Sequence, residues 1–110
     1  MTTILPFLKE LISVSGLSGH ETVARRLIEQ TWAPLTHELS TSRLGSLHGL
    51  RRGRGSDPRP SILLAAHMDA IGLMVTAIVD GYLRVTSVGG IDARVLPGQL
   101  VTVHGREDLP

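Results

Sequence analysis

The sequence has no cysteine, which removes disulfide frameworks, thiolate zinc sites and cysteine nucleophiles together. Any metal must then be held by His, Asp or Glu. Aromatic residues are almost as scarce, with one Phe, one Tyr and one Trp, so Leu, Ile, Val and Ala have to fill the interior. Charge of one sign is missing too. The 11 basic and 10 acidic side chains leave a formal charge of +1, too little for a field that draws nucleic acid or an anionic membrane. The start has no basic stretch and is interrupted by Pro6 and Lys9-Glu10, so no signal peptide is expected. The longest apolar stretch, residues 62–75, is broken by His67 and Asp69 and is too short to span a bilayer. These absences predict a soluble, cytoplasmic chain with neither nucleic acid nor membrane as a partner.

What is present suits a folded domain. The chain has 110 residues, 42% apolar and 19% charged, ordinary for one small domain or a piece of a larger one. Thr3 is a fair N-cap, and Ile4, Leu5, Leu8, Leu11 and Ile12 follow at helical spacing before Gly16. A turn, Ser15-Gly16-Leu17-Ser18-Gly19, comes next. Ser18 with Glu21 three residues on reads as a capping box for a second helix, whose apolar face is Val23, Ala24, Leu27, Ile28 and Trp32. From Thr36 the pattern shortens to alternating runs over 36–42 and 46–51 around Leu44-Gly45, which predicts a β-hairpin. Residues 51–60, with their Gly, Arg and Pro, read as an exposed loop.

Ile62-Leu63-Leu64-Ala65-Ala66 is a continuous apolar run of strand length, which predicts a strand buried on both faces in the middle of an α/β sheet. Function tends to sit at the end of such a strand. Beyond Asp69 the texture is β-rich: 73–79, a turn at Asp80-Gly81, 82–88, Gly89-Gly90, and 99–104, with no further helix signal. This shift places a domain boundary near residues 70–72.

His67 follows the apolar run directly and Asp69 lies two residues later, so both side chains can emerge on one side of the chain where the strand ends. A neutral imidazole is a good ligand for zinc, cobalt or manganese, and a nearby carboxylate can accept the other ring N–H and fix the tautomer. The same spacing also suits a hydrogen-bonded structural histidine followed by a turn-forming aspartate, and spacing alone leaves both readings open. Two groups do not complete a site, because a catalytic zinc normally has three protein ligands plus water.

The remaining chemistry-bearing types read as ordinary surface. His20, His37, His48 and His104 have no chelating companion at helical or strand spacing. Arg51, Arg52, Arg54 and Arg59 lack the interleaved aromatics of a nucleic-acid interface and read as a solvated loop. Gly53-Arg54-Gly55 is neither a dinucleotide fingerprint nor a P-loop, and Ser13, Ser15 and Ser18 lack a nucleophile elbow. Asp92-Ala93-Arg94 after Gly89-Gly90 predicts a turn with a local ion pair.

Four stretches, taken together, carry a resemblance. They are Ser15-Gly16-Leu17-Ser18-Gly19-His20-Glu21, then Arg43-Leu44-Gly45-Ser46-Leu47, then Leu64-Ala65-Ala66-His67-Met68-Asp69-Ala70-Ile71-Gly72-Leu73-Met74-Val75, and then Val88-Gly89-Gly90-Ile91-Asp92-Ala93-Arg94-Val95-Leu96-Pro97-Gly98-Gln99. In this order they resemble stretches of the M42 family of metallo-aminopeptidases, which includes glutamyl and deblocking aminopeptidases and members labelled endoglucanase. The resemblance implies an α/β fold: residues 1–70 as the N-terminal part of a zinc-peptidase-like catalytic domain, and 71–110 as the start of an inserted β-rich dimerisation domain. It implies a homo-oligomer that trims peptides from the amino terminus with two divalent metal ions, zinc or cobalt. His67 corresponds to the first metal ligand and Asp69 to the catalytic-site carboxylate that orients it. The other ligands and the general-base glutamate are expected beyond position 110, so the short chain reads as an inactive, truncated piece. Ala70 stands where many relatives have Glu, and Ser46 where Asn commonly follows the Gly; neither is a metal ligand in the family pattern. Two other readings stay in play: a glycoside hydrolase, which works with two facing carboxylates and no metal, and a non-catalytic assembly module.

Overall fold

The computed structural model describes residues 4–105 as two helices followed by two separate antiparallel hairpins. Helix α1 is Ile4–Ser13 and α2 is Thr22–Trp32, the latter running into a short 3-10 turn at Ala33–Leu35. Both arise from the apolar spacing noted above, and Pro34 ends the second because it cannot donate to a continuing helix. The expected cap Thr3 lies outside the described residues. The capping box is not formed: the residue before α2 is Glu21, it makes no side-chain cap bond, and its Oε1 accepts from Gly19 N instead. Ser18, the other half of the box, is engaged elsewhere.

The first hairpin pairs β1, Glu38–Thr41, with β2, Leu47–Leu50, as the alternating runs predict. Its turn is closed by Ser42 N to Ser46 O at 2.9 Å and Gly45 N to Ser42 O at 3.0 Å. The second hairpin pairs β3, Gly72–Val79, with β4, Tyr82–Val88, with a register shift between Val75 and Ala77. Asp80 and Gly81 both have positive φ, 51° and 81°, the arrangement that lets a two-residue turn match the twist of its strands. After Gly90 the chain makes a 3-10 turn at Ala93–Val95, where Arg94 Nη2 and Asp92 Oδ2 stand 2.6 Å apart, the expected local ion pair.

Two strands expected from sequence are not formed among the described residues. Residues 99–104 contain no strand, only an isolated bridge position at Val103. Residues 62–66 are likewise irregular, and Ile62, Leu63 and Leu64 are 88%, 89% and 91% exposed. The reason is physical. A strand exists through its ladder, and a strand buried on both faces needs neighbours at both edges and layers above and below. The only sheets among the described residues are the two hairpins, and neither pairs with this run.

The uncovered run belongs to a wider pattern. The accessible surface is 9825 Å², where a compact monomer of this mass would expose about 5900 Å². The radius of gyration is 18.4 Å against about 13 Å for a compact chain of this length. Ala24 is the one buried apolar side chain among the described residues. An open trough of about 1330 Å³ lies between the helices, the first hairpin and residues 62–69, lined by Phe7, Leu11, Ile28, Trp32, Leu39 and Leu63 among others. It exceeds the roughly 300–1000 Å³ of small-molecule pockets, and apolar side chains of both helices and the first hairpin line it beside polar ones such as Glu21, Glu38 and His48, so it reads as an unfilled core with a polar margin.

Candidate metal-ligand pair

The 15–20 turn and residues 68–72, far apart in sequence, meet at a junction. Ala70 N donates to Gly16 O at 2.6 Å, and Leu17 and Ala70 form a parallel bridge. Gly16 is buried between α2 and the chain at Met68; a Cβ there would meet Ala24 Cβ at 3.5 Å and Met68 O at 3.6 Å. Gly72 lies close to the Leu17 side chain, and a Cβ there would stand 2.7 Å from Leu17 Cδ1, which would have to move aside. Two of the motifs separated by some fifty residues in sequence therefore meet here, main chain against main chain.

His67 and Asp69 sit at this junction. His67 Nδ1 lies 3.1 Å from Asp69 Oδ1 and 3.1 Å from Asp69 O. Both neighbours are pure acceptors, so Nδ1 carries a hydrogen and donates it, which in the neutral ring leaves the Nε2 lone pair free. The ring is 86% exposed and the Asp69 side chain 42%. Asp69 Oδ2 accepts from the Ser18 hydroxyl at 2.5 Å. Together these donors hold the Asp69 carboxyl below its ordinary value, the Ser18 hydroxyl being the larger cause and His67 the second.

The donor chemistry suits one arm of a divalent cation's shell: a neutral imidazole with a fixed tautomer and an open nitrogen. It does not suit a whole shell. The described residues contain no group of three or more His, Cys, Asp or Glu side chains able to hold a metal ion. The other histidines do not join the pair. His37 Nδ1 accepts from Arg52 N at 3.0 Å in the first hairpin, where Arg52 is also paired with Glu38. His48 lies on β2 and His20 in the turn before α2.

Sequence reading assigned Ser18 to a helix cap and so missed its contact with Asp69. The only available signal was the recurrence of Gly-Leu-Ser-Gly and His-Met-Asp in one set of motifs, which does not reveal that they touch.

The chain shares its mixed helix and sheet fold with solved structures. The TET aminopeptidase of a marine sediment archaeon, Thaumarchaeota archaeon SCGC AB-539-E09, matches with a TM-score of 0.79 and 32% identity, covering 86% of this chain and 26% of that one. A Thermotoga maritima structure called endoglucanase matches with a TM-score of 0.76 and 42% identity, over 83% of this chain and 29% of that one. The lysyl aminopeptidase of Pyrococcus furiosus is 36% identical over 96 residues, 86% of this chain and 27% of its own length. A model of the M42 glutamyl aminopeptidase family matches residues 45–110, more than half of the sequence, and the chain belongs to that family. It spans under a third of the length of these relatives. No helix among the described residues is long and apolar enough to cross a membrane.

Proposed function

We propose that the protein to which these residues belong is a metal-dependent aminopeptidase that hydrolyses amino-terminal residues from peptides, and that this chain supplies one metal ligand, His67, and its orienting carboxylate, Asp69. The observation that carries the reading is the 3.1 Å contact between His67 Nδ1 and Asp69 Oδ1, in a chain of the M42 family. When bound, two divalent ions, zinc or cobalt, would polarise the scissile carbonyl and lower the pKa of a water. The chain's own contribution is narrower. Asp69 keeps the hydrogen on Nδ1, so that in the neutral ring the Nε2 lone pair is left for a ligand.

In this proposal residues 1–70 form the start of the catalytic domain and 71–110 the start of an inserted β-rich domain through which subunits of a homo-oligomer pair. The β3–β4 hairpin that begins at Gly72 forms a sheet of its own, separate from the β1–β2 hairpin of the preceding part, which supports that boundary. The excess accessible surface supports a larger assembly, with further polypeptide filling the trough and pairing with residues 62–66. A cytoplasmic location goes with this reading.

The name of the Thermotoga maritima structure raises a glycoside hydrolase. Glycosidases work with two facing carboxylates, whereas Asp69 is turned to an imidazole and a serine hydroxyl, and the family model and the aminopeptidase relatives point to peptide hydrolysis. The family match favours the peptidase reading. Purified residues 1–110 should release no product from aminoacyl chromogenic substrates with added zinc or cobalt, while the full-length protein should do so and lose the activity to a chelator. Turnover by the short chain, or chelator-insensitive cleavage of a glucan by the full-length protein, would sink the proposal.

A further inference from the structure

We infer that Ser18 is a positioning residue of this site, its hydroxyl anchoring the outer oxygen of Asp69 so that the inner oxygen stays on His67. The inference rests on the metallopeptidase reading above and adds a residue to it.

A carboxylate paired to an imidazole through one oxygen keeps a soft torsion, because the terminal sp³–sp² rotation of Asp has a broad profile. Asp69 has a second anchor. Ser18 Oγ donates to Oδ2 at 2.5 Å while Oδ1 faces His67 Nδ1 at 3.1 Å. The two oxygens are thereby made inequivalent, and the carboxylate plane is fixed by donors on both sides.

The anchor is itself held by main chain. Leu17, the neighbour of Ser18, bridges Ala70, the neighbour of Asp69, and Gly16 O accepts from Ala70 N at 2.6 Å. The hydroxyl therefore reaches the carboxylate from a backbone already locked in register, at little cost in side-chain entropy. The arrangement also excludes a nucleophilic role for Ser18. A serine nucleophile is activated by hydrogen bonding to the imidazole, and this one donates to the carboxylate at the far end of the pair.

The His67 ring has an alternative acceptor, the carbonyl of Asp69 itself, also at 3.1 Å. Without the Ser18 anchor the carboxylate can swing away while the ring hydrogen passes to that carbonyl. The tautomer survives, but the charged partner that strengthens the imidazole as a donor is lost part of the time. Loss of Ser18 should therefore weaken the site without abolishing it.

The test uses the full-length protein with Ser18→Ala, Ser18→Thr, Asp69→Asn and His67→Ala. Zinc affinity is read by chelator competition, and the cobalt-substituted protein by its visible absorption. Replacing groups that orient a ligand typically costs about 10–100-fold in metal affinity; Ser18→Ala should fall at or below the low end, about 3–10-fold, with a shifted cobalt spectrum. Ser18→Thr, which keeps the hydroxyl, should restore both. Wild-type affinity and spectrum in Ser18→Ala, alongside losses in His67→Ala and Asp69→Asn, would overturn the role of Ser18 and leave the metallopeptidase reading standing. Unchanged affinity in His67→Ala would overturn that reading instead. Should Ser18→Ala lose its fold by circular dichroism, Ser18→Cys, of similar size but a weak donor, reads the same comparison: reduced affinity supports the anchor and wild-type affinity overturns it.

Discussion

Residues 62–66 and 68–72 are nearly adjacent in sequence and opposite in fate. The first is the most continuous apolar run in the chain, yet Ile62, Leu63 and Leu64 are about nine-tenths exposed and pair with nothing regular. The second contains Asp69 and Gly72, and it is gripped by a turn some fifty residues earlier through Ala70 N to Gly16 O, the Leu17 bridge and Ser18 to Asp69. Hydrophobicity is non-directional and acts only when something apolar is there to receive it. Main-chain ladders and a charge-assisted hydrogen bond are directional, so a short turn can supply them alone. The chemistry of the site is thus positioned by the smaller, polar contact set, while its apolar support awaits a partner.

The comparison breaks most visibly at Leu64. Its side chain is 91% exposed here, so Leu64→Asp in residues 1–110 should leave the amide exchange of Ala70 unchanged. In the full-length protein the same change would put an unpaired charge into a covered strand and cost about 3–5 kcal/mol, read as a shift in the denaturant midpoint. An equal, small effect in both contexts would mean that the run stays exposed in the whole protein.

A smaller effect is expected on the gripped side. Ala70→Pro removes the N–H that Gly16 O accepts and leaves that carbonyl unpaired beside the buried Gly16, at a cost of about 1–3 kcal/mol. Protease cleavage within 61–69 should accelerate while the β3–β4 hairpin keeps its exchange protection. Unchanged cleavage would show that the junction does not depend on the Leu17 ladder.

How far the sequence foretold this division follows from the same physics. Both helices and both hairpins were legible because each is fixed by residues close in sequence: 3.6-residue spacing, alternation, and turn residues such as Gly45 and Asp80-Gly81. The nature of residues 62–66 as a buried strand was legible as a tendency only, since the tendency is realised by neighbours far along the chain or outside it. His67 and Asp69 could be named from their spacing, and their contact is present. Ser18 was misassigned because a serine three residues before a glutamate at a helix start satisfies the capping-box pattern, and local pattern says nothing of a partner 51 positions away.

The finest test separates two aspartates by pH. Asp69 and Asp92 are both held below the ordinary carboxylate value, Asp69 mainly by the Ser18 hydroxyl and then His67, Asp92 by the Arg94 guanidinium. A carboxyl whose folded value is depressed stabilises the fold above the unfolded value, about 3.9, and that contribution is lost as pH falls through the lower folded value. The two differ in what the depression depends on. Arg94 is two residues from Asp92 and fully capable of pairing with it in an open chain, so protonating Asp92 should barely shift any equilibrium. Ser18 meets Asp69 only when the junction is closed, so protonating Asp69 must favour opening. Amide exchange at Ala70 should therefore quicken as pH drops below the ordinary carboxylate range, after correction for intrinsic exchange. Ser18→Ala should raise the Asp69 titration midpoint, followed by carboxyl NMR, and flatten that pH dependence. Arg94→Ala should raise the Asp92 midpoint and leave Ala70 untouched. If Arg94→Ala altered Ala70 exchange as much as Ser18→Ala did, the acid response would belong to the overall charge of the chain rather than to the junction that orients His67.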